Sequence, residues 1–189
     1  MNKYPEYIQV RDKKYKLNTD FKIALECDKI VRDNSIGDYE KILAIIYKLL
    51  GEKALQDYEN QEKLFLLCQK YLQCNQKIDE EDEEELPSMD FEQDEGLIKA
   101  SFMSDYRINL DETNMHWWAF IDLLKGLTEN SILNRVRYIR EEKIDDKKGE
   151  DLERWKKMKK SVGLKNIYVK TDLEKAMDDL FESHMRGEW

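Results

Sequence analysis

The spacing of hydrophobic positions along this chain changes once. Near the start, Ile8 and Val10 flank Gln9, and Tyr15 and Leu17 flank Lys16. That alternation predicts two paired strands, with the polar stretch Arg11–Lys14 as their turn. An isolated hairpin is marginal in water, so this one is expected to lie on another element.

From Thr19 onward the spacing is helical. Thr19 is expected to cap a helix with Ile23, Cys27, Ile30 and Val31 on one face, ended by Asn34, Ser35 and Gly37. Ile42, Ile45, Ile46, Leu49 and Leu50 form a second stripe, closed by Gly51. Leu64, Leu67, Cys68, Tyr71 and Leu72 repeat the spacing. Further on, Asp90 and Gln93 make a capping-box-like start to a helix carrying Ile98, Phe102 and Tyr106. Trp117, Trp118, Ile121 and Leu124 share a stripe that ends near Gly126. Ile132, Val136 and Ile139 mark the next helix, and Leu152, Trp155 and Val162 mark a thin stripe on a very basic one. Thr171 and Glu174 box the start of a last helix with Leu173, Ala176, Met177, Leu180 and Phe181. The expected fold is mainly α, a helical bundle of about seven helices with a short N-terminal β-hairpin. Residues 1–75 hold the hairpin and a three-helix part, residues 76–89 a linker, and residues 90–189 a second helical part.

Charge sharpens this division. The 189 residues carry a formal net charge of −9. Eleven acids and no base lie between Ile78 and Ile98, seven of them consecutive from Asp79 to Glu85. Without those eleven, 30 acids face 32 bases, so the acidity belongs to one segment. Adjacent carboxylates repel and have nothing apolar to bury, which predicts a solvated linker. The longest apolar run, Ile42–Tyr47, has six residues. About 18 are needed to span a bilayer, so no membrane association is expected. The start of the chain lacks the apolar core of a signal peptide. Cys27, Cys68 and Cys74 are an odd set without a CxxC pair, each in an apolar-periodic segment. They predict buried free thiols in a reducing compartment and no metal site.

Few residues point to chemistry. No phosphate-binding glycine loop, zinc-ligand spacing or nucleophile elbow occurs. His116 and His184 lie 68 positions apart, and neither has a local partner in sequence for acid–base work. No enzyme and no cofactor are expected, and His116 is expected at the edge of an aromatic core. The acid run lacks the spacing of a Ca²⁺ loop. The run Arg154, Lys156, Lys157, Lys159 and Lys160 offers a face for an anionic partner. Twelve bases against seven acids between Arg135 and Lys165 make a solvated helix face the favoured reading. A loose pairing with the acidic linker, or nucleic-acid binding, are the alternatives. Adjacent helix positions lie about 100° apart. Trp117 and Trp118 are therefore expected to point to different places, one into the core and one over a neighbouring helix or a partner.

The string Asp94-Glu95-Gly96-Leu97-Ile98-Lys99-Ala100-Ser101-Phe102, continued by Asp105-Tyr106 and Ile108-Asn109-Leu110, resembles the central motif of the bacteriophage gene-product-fifteen family. So do Met115–Phe120, the Leu-x-Gly-Leu end at Leu124–Leu127, the Asn18–Phe21 start of the first helix, and the Arg-Tyr-Ile-Arg stretch at 137–140. The resemblance covers residues 5–165; the acid run is longer than the pattern, and the segment from Thr171 to Trp189 lies beyond it. It implies a phage or prophage tail-module protein without agreed catalytic residues, working in the host bacterial cytoplasm. The implied role is a tail assembly chaperone that coats the tape-measure protein. Tape-measure protein, tail tube protein and a second copy of the chain are the partners it implies. Met115, Trp117, Trp118, Ile121 and Leu124, with the first helical part, are the expected groove for a client helix. A structural tail component retained in the virion, or a nucleic-acid-binding regulator using residues 154–160, are the competing readings.

Overall fold

The structure, a computed structural model, describes residues 4–75 and 87–165. The acid run Asp79–Glu85 and the helix expected from Thr171 lie outside the described residues. The fold is mainly α with an N-terminal two-stranded antiparallel hairpin. Residues 4–75 and 115–120 belong to one compact unit, and residues 87–114 and 121–165 to another. Among the described residues, no helix is long and apolar enough to cross a membrane.

In the first unit, β1 (Tyr7–Val10) pairs with β2 (Lys13–Lys16) in the register Tyr7↔Lys16 to Val10↔Lys13. The turn is therefore Arg11-Asp12 alone, two residues shorter than the polar stretch predicts, and Arg11 takes a left-handed φ of 54°. Ile8 and Val10 are buried as the alternation requires, as is Leu17 just after β2. Four helices follow: α1 (Phe21–Arg32), α2 (Asp38–Leu50), the short α3 (Glu52–Leu55) and α4 (Gln61–Leu72). A 3₁₀ turn at Tyr58–Asn60 precedes α4; the period did not foresee it or α3, since neither is long enough to show one.

The cap of α1 is Asp20, not Thr19: its carboxylate accepts the Lys22 N–H at 3.0 Å. The buried face is Phe21, Ala24 and Cys27, with Ile23, Ile30 and Val31 only half-buried. Counting from Phe21 instead of Ile23 rotates the face, because Phe21 stacks on another aromatic ring described below. On α2, Ile45, Ile46, Leu49 and Leu50 are buried as expected. Gly51 closes it at φ 78°, ψ −176°, a conformation essentially reserved for glycine. On α4, Leu64, Cys68 and Tyr71 are buried as expected, together with Phe65 and Leu66.

One carboxylate anchors the hairpin. Asp57, before the 3₁₀ turn, accepts from Tyr15 Oη at 2.5 Å, Lys13 Nζ at 2.9 Å and Asn60 Nδ2 at 2.9 Å. These donors, Tyr15 first, hold its carboxyl down at about 2, and burial with the Asp57 contact pushes the Tyr15 phenol up to about 12. A lowered carboxyl stabilises the fold above its unfolded value, near pH 4, and loses that contribution as pH falls through about 2. Asp57→Asn is expected to flatten the acid limb of stability between those values, as read by urea midpoints against pH. An acid limb identical to that of the parent protein would contradict this.

The second unit holds α5 (Glu95–Tyr106), the end of α6 (Trp117–Lys125), α7 (Ile132–Glu141) and α8 (Gly149–Val162). Its core is Ile98, Phe102, Leu110, Leu124, Leu127 and Leu133. The Asp90 carboxylate accepts the Gln93 N–H at 2.6 Å, but the box closes a turn, and α5 starts only at Glu95. Ser131 caps α7, and Leu133 is its buried residue. Ile132, expected inside, is 45% exposed, because the Leu133 N–H bonds to Ser101 Oγ at 3.1 Å and turns the next residue inward. Helix α8 buries no residue fully; Leu152, Trp155 and Val162 are half-buried. Asp94 and Arg140 form a buried two-pronged ion pair at 2.6 and 2.8 Å, and Arg140 also donates to the Val162 and Ser88 carbonyls.

Candidate functional site

The segment Met115–Phe120 lies far in sequence from the helices it joins. Its backbone pairs with the chain before α1: Phe21 N–H donates to Met115 O at 2.9 Å, and Trp117 N–H donates to Thr19 O at 2.8 Å. This is a one-residue antiparallel bridge, Asp20 opposite His116. Phe120 stacks on Phe21, with ring centroids 4.8 Å apart, and on Trp117 at 5.6 Å.

Trp117 enters the core and Trp118 lies over the neighbouring helix α4, as expected, yet both indoles reach the same helix end. Trp117 Nε1 donates to Leu72 O at 2.8 Å, and Trp118 Nε1 donates to Tyr71 O at 2.8 Å. Both carbonyls sit at the C-terminus of α4, where the last turn lacks intrahelical donors. Two long indoles starting from adjacent positions thus reach successive carbonyls of one helix end. Trp118 also stacks on Tyr71 at 6.1 Å. The direction of a Cβ does not fix where a six-atom reach ends, which is why helix geometry alone missed this.

His116 is better placed than its sequence context indicates. The Phe120 N–H bonds to His116 O at 3.0 Å, so His116 precedes the first turn of α6. Its Nδ1 accepts the Trp118 N–H at 3.0 Å, the contact that a helix-capping side chain makes. Its Nε2 lies 3.0 Å from Pro5 O. Histidine lies outside the usual capping set, so the sequence carries no cap signal at this position.

Of the expected partner-contact residues, Trp117 and Leu124 are interior, at 6% exposure each, so they cannot form a client surface directly. Trp117 is fixed by its carbonyl contact and by Phe120 stacked on it, and Leu124 is buried in the second unit. Met115, Trp118 and Ile121 are half-buried and keep accessible surface. A further apolar stripe faces outward. On α2, Tyr39 and Tyr47 are 61% and 53% exposed, and Leu43 between them is half-buried. Spacing of four places all three on one face. Leu43 and Tyr47 fall within the apolar run Ile42–Tyr47, and Tyr39 lies one turn before Leu43.

The basic run does not act as one face. Lys156 pairs with Glu153 at 3.0 Å, and Lys159 donates to the Glu142 carbonyl. Arg154, Lys157 and Lys160 remain exposed on α8. The helix opens with Glu150 and Asp151 and closes with Lys159 and Lys160, the order that complements its dipole. Lys147 lies over the Trp155 ring at 4.7 Å and pairs with Glu142 at 2.8 Å.

Cys27 and Cys68 are buried free thiols, and Cys74 is half-buried. Burial pushes the Cys27 thiol up to about 12, far from a thiolate at neutral pH. Among the described residues, no three His, Cys, Asp or Glu side chains gather as a metal site would need.

An N-terminal hairpin followed by helices, with a Met-His-Trp-Trp-Ala-Phe junction tied back to the start of the first helix, defines a small, mainly α-helical protein. The family described as Bacteriophage Gp15 protein matches residues 1–164, and the chain belongs to that family. No curated protein and no solved structure matches it.

Proposed function

We propose that this protein is a tail assembly chaperone that binds the tape-measure protein before the tail tube forms. The observation that carries the proposal is the family match across residues 1–164, joined to the tail-module role that the sequence resemblance implies. The protein acts by binding, with no catalytic step and no cofactor, in the host cytoplasm. A tape-measure chain is long, helical and apolar-striped, and its stripe needs cover until it is packed.

The first unit offers a surface of suitable chemistry. Exposed Tyr39 and Tyr47 with half-buried Leu43 form a ridge on α2, and apolar residues at a spacing of four are what an amphipathic helix meets in helix-on-helix recognition. Half-buried Met115 and Trp118 add accessible apolar area. Tyrosine and tryptophan are favoured where contacts must carry affinity.

Co-expression with the tape-measure protein encoded beside it tests the proposal. The tape measure is expected in the soluble fraction only when this protein is present, and the two are expected to co-purify. Tyr39→Ala with Tyr47→Ala, both on the surface, is expected to weaken the complex about tenfold or more. A tape measure equally soluble alone would overturn the proposal. Full binding by the double variant would remove α2 as the contact.

A further inference from the structure

The ridge on α2 has unlike ends. At its N-terminal end, Tyr39 Oη donates to Gln61 Oε1 at 3.4 Å, and Gln61 Nε2 donates to Leu55 O at 3.0 Å. The first turns of α2 and α4 are thus tied together, and both are acidic. Residues 33–40 carry Asp33, Asp38 and Glu40 and no base. Glu59 and Glu62 lie on either side of Gln61, and all five acids are exposed. Arg11 approaches Glu59 at 4.0 Å. Lys63 stands about 200° around α4 from Gln61, so it points away from Tyr39.

Two of these carboxylates serve their own backbone. Asp33 accepts from the Ser35 N–H at 2.8 Å and from Ser35 Oγ at 2.6 Å. A Cβ on Gly37 would collide with the Glu40 carboxylate, so Glu40 folds back over the N-terminus of its own helix. Asp38 and Glu62 set the outward charge. The Tyr47 end is balanced instead: Lys48 pairs with Glu26 at 2.6 Å, and Glu52 is followed by Lys53. Lys41, the other base of α2, is buried and donates to the Val31 carbonyl at 2.7 Å.

We infer that the ridge takes an amphipathic helix running antiparallel to α2, with lysine or arginine in its last turn. The start of α2 carries the positive end of its dipole, about half a charge, and Asp38 with Glu40 outweighs it. This end is therefore net negative and is met best by bases. A helix accepts bases most readily in its last turn and acids in its first. The end that lies over Tyr39 is then the partner's C-terminal end, which sets the direction. Tyr39, Leu43 and Tyr47 supply the apolar contact, and the two tyrosines do so with few rotamers to lose. The partner's chemistry, so defined, rests on the reading of this ridge as the client surface.

Two synthetic peptides, offered to the full-length protein, test this. Both carry the same leucine stripe at helical spacing; one has lysines in its last turn, the other glutamines there. The lysine peptide is expected to bind about threefold to tenfold tighter at low salt, read by fluorescence anisotropy, with the difference shrinking as salt rises. Asp38→Asn with Glu62→Gln is expected to erase the difference and leave glutamine-peptide binding as it was. A nitroxide on the C-terminal end of the lysine peptide should broaden the Tyr39 signals more than those of Tyr47, and one on its N-terminal end the reverse; that measurement needs no variant. Equal binding of the two peptides, no binding of either, a preference that survives the double variant, or the opposite broadening overturns the inference. A tape measure kept soluble by a protein that ignores both peptides would do so too, and would leave the chaperone reading standing. Peptide binding as expected, beside a tape measure soluble alone, would sustain the surface and sink that reading.

Discussion

Arg140→Ala is expected to destabilise the second unit by about 3–5 kcal/mol, the usual cost of removing one partner from a buried ion pair. The Asp94 side chain is 1% exposed and the Arg140 side chain 8%. Without the guanidinium, the Asp94 carboxylate keeps only its contact with the Asp90 N–H at 3.0 Å. The same substitution frees the Val162 carbonyl at the end of α8 and the Ser88 carbonyl ahead of α5. Because α8 buries no residue fully, that guanidinium is a main tie between it and α7. Urea unfolding should show the loss, with α8 amides exchanging first. The paired replacement Asp94→Leu with Arg140→Met should cost much less, since it leaves no uncompensated charge. Equal losses for the single and paired variants would mean that the contacts of Arg140 with the carbonyls matter more than the ion pair.

Trp117→Ala is expected to cost the first unit about 3–5 kcal/mol, typical of deleting a large buried aromatic side chain. The residue fills space against Phe120 and supplies the donor for Leu72 O. Trp117→Phe divides these roles: the ring persists, and the carbonyl loses its N–H at a cost of about 1–3 kcal/mol. Trp118 is more exposed, so Trp118→Phe should cost less than Trp117→Phe although both indoles reach the same helix end. The comparison is made by denaturant midpoints with circular dichroism. If Trp117→Ala were no more destabilising than Trp118→Ala, the junction would not be held as described.

Much of the fold was legible because long periodic stripes bury what they predict. Ile45, Ile46, Leu49 and Leu50 on α2 are the clearest case, and Ile8 with Val10 on β1 another. Elements shorter than one period, such as α3 and the 3₁₀ turn, left no signal. The rotation of α1 from Ile23 toward Phe21 depends on Phe120, 99 positions away, and only tertiary contact reveals it. The family was legible in the Asp94–Phe102 and Met115–Phe120 strings. The site was less so. The aromatic junction drew notice as a dipeptide, but its partners at Tyr71 and Leu72 are carbonyls, which carry no sequence identity. Buried ion pairs and caps are likewise choices of geometry: Asp94 and Arg140 looked like two more charges in a chain that is 39% charged.

The proposed role has a direct test in the phage itself. Mass spectrometry is applied to purified virions and to the soluble fraction of the same lysing culture, with this protein quantified against the tape-measure protein. A chaperone that hands over its client is expected in the soluble fraction bound to the tape measure, and missing from the mature particle. Recovery of this protein in purified virions in fixed ratio to the tape measure would contradict the chaperone role and make it a structural part of the tail.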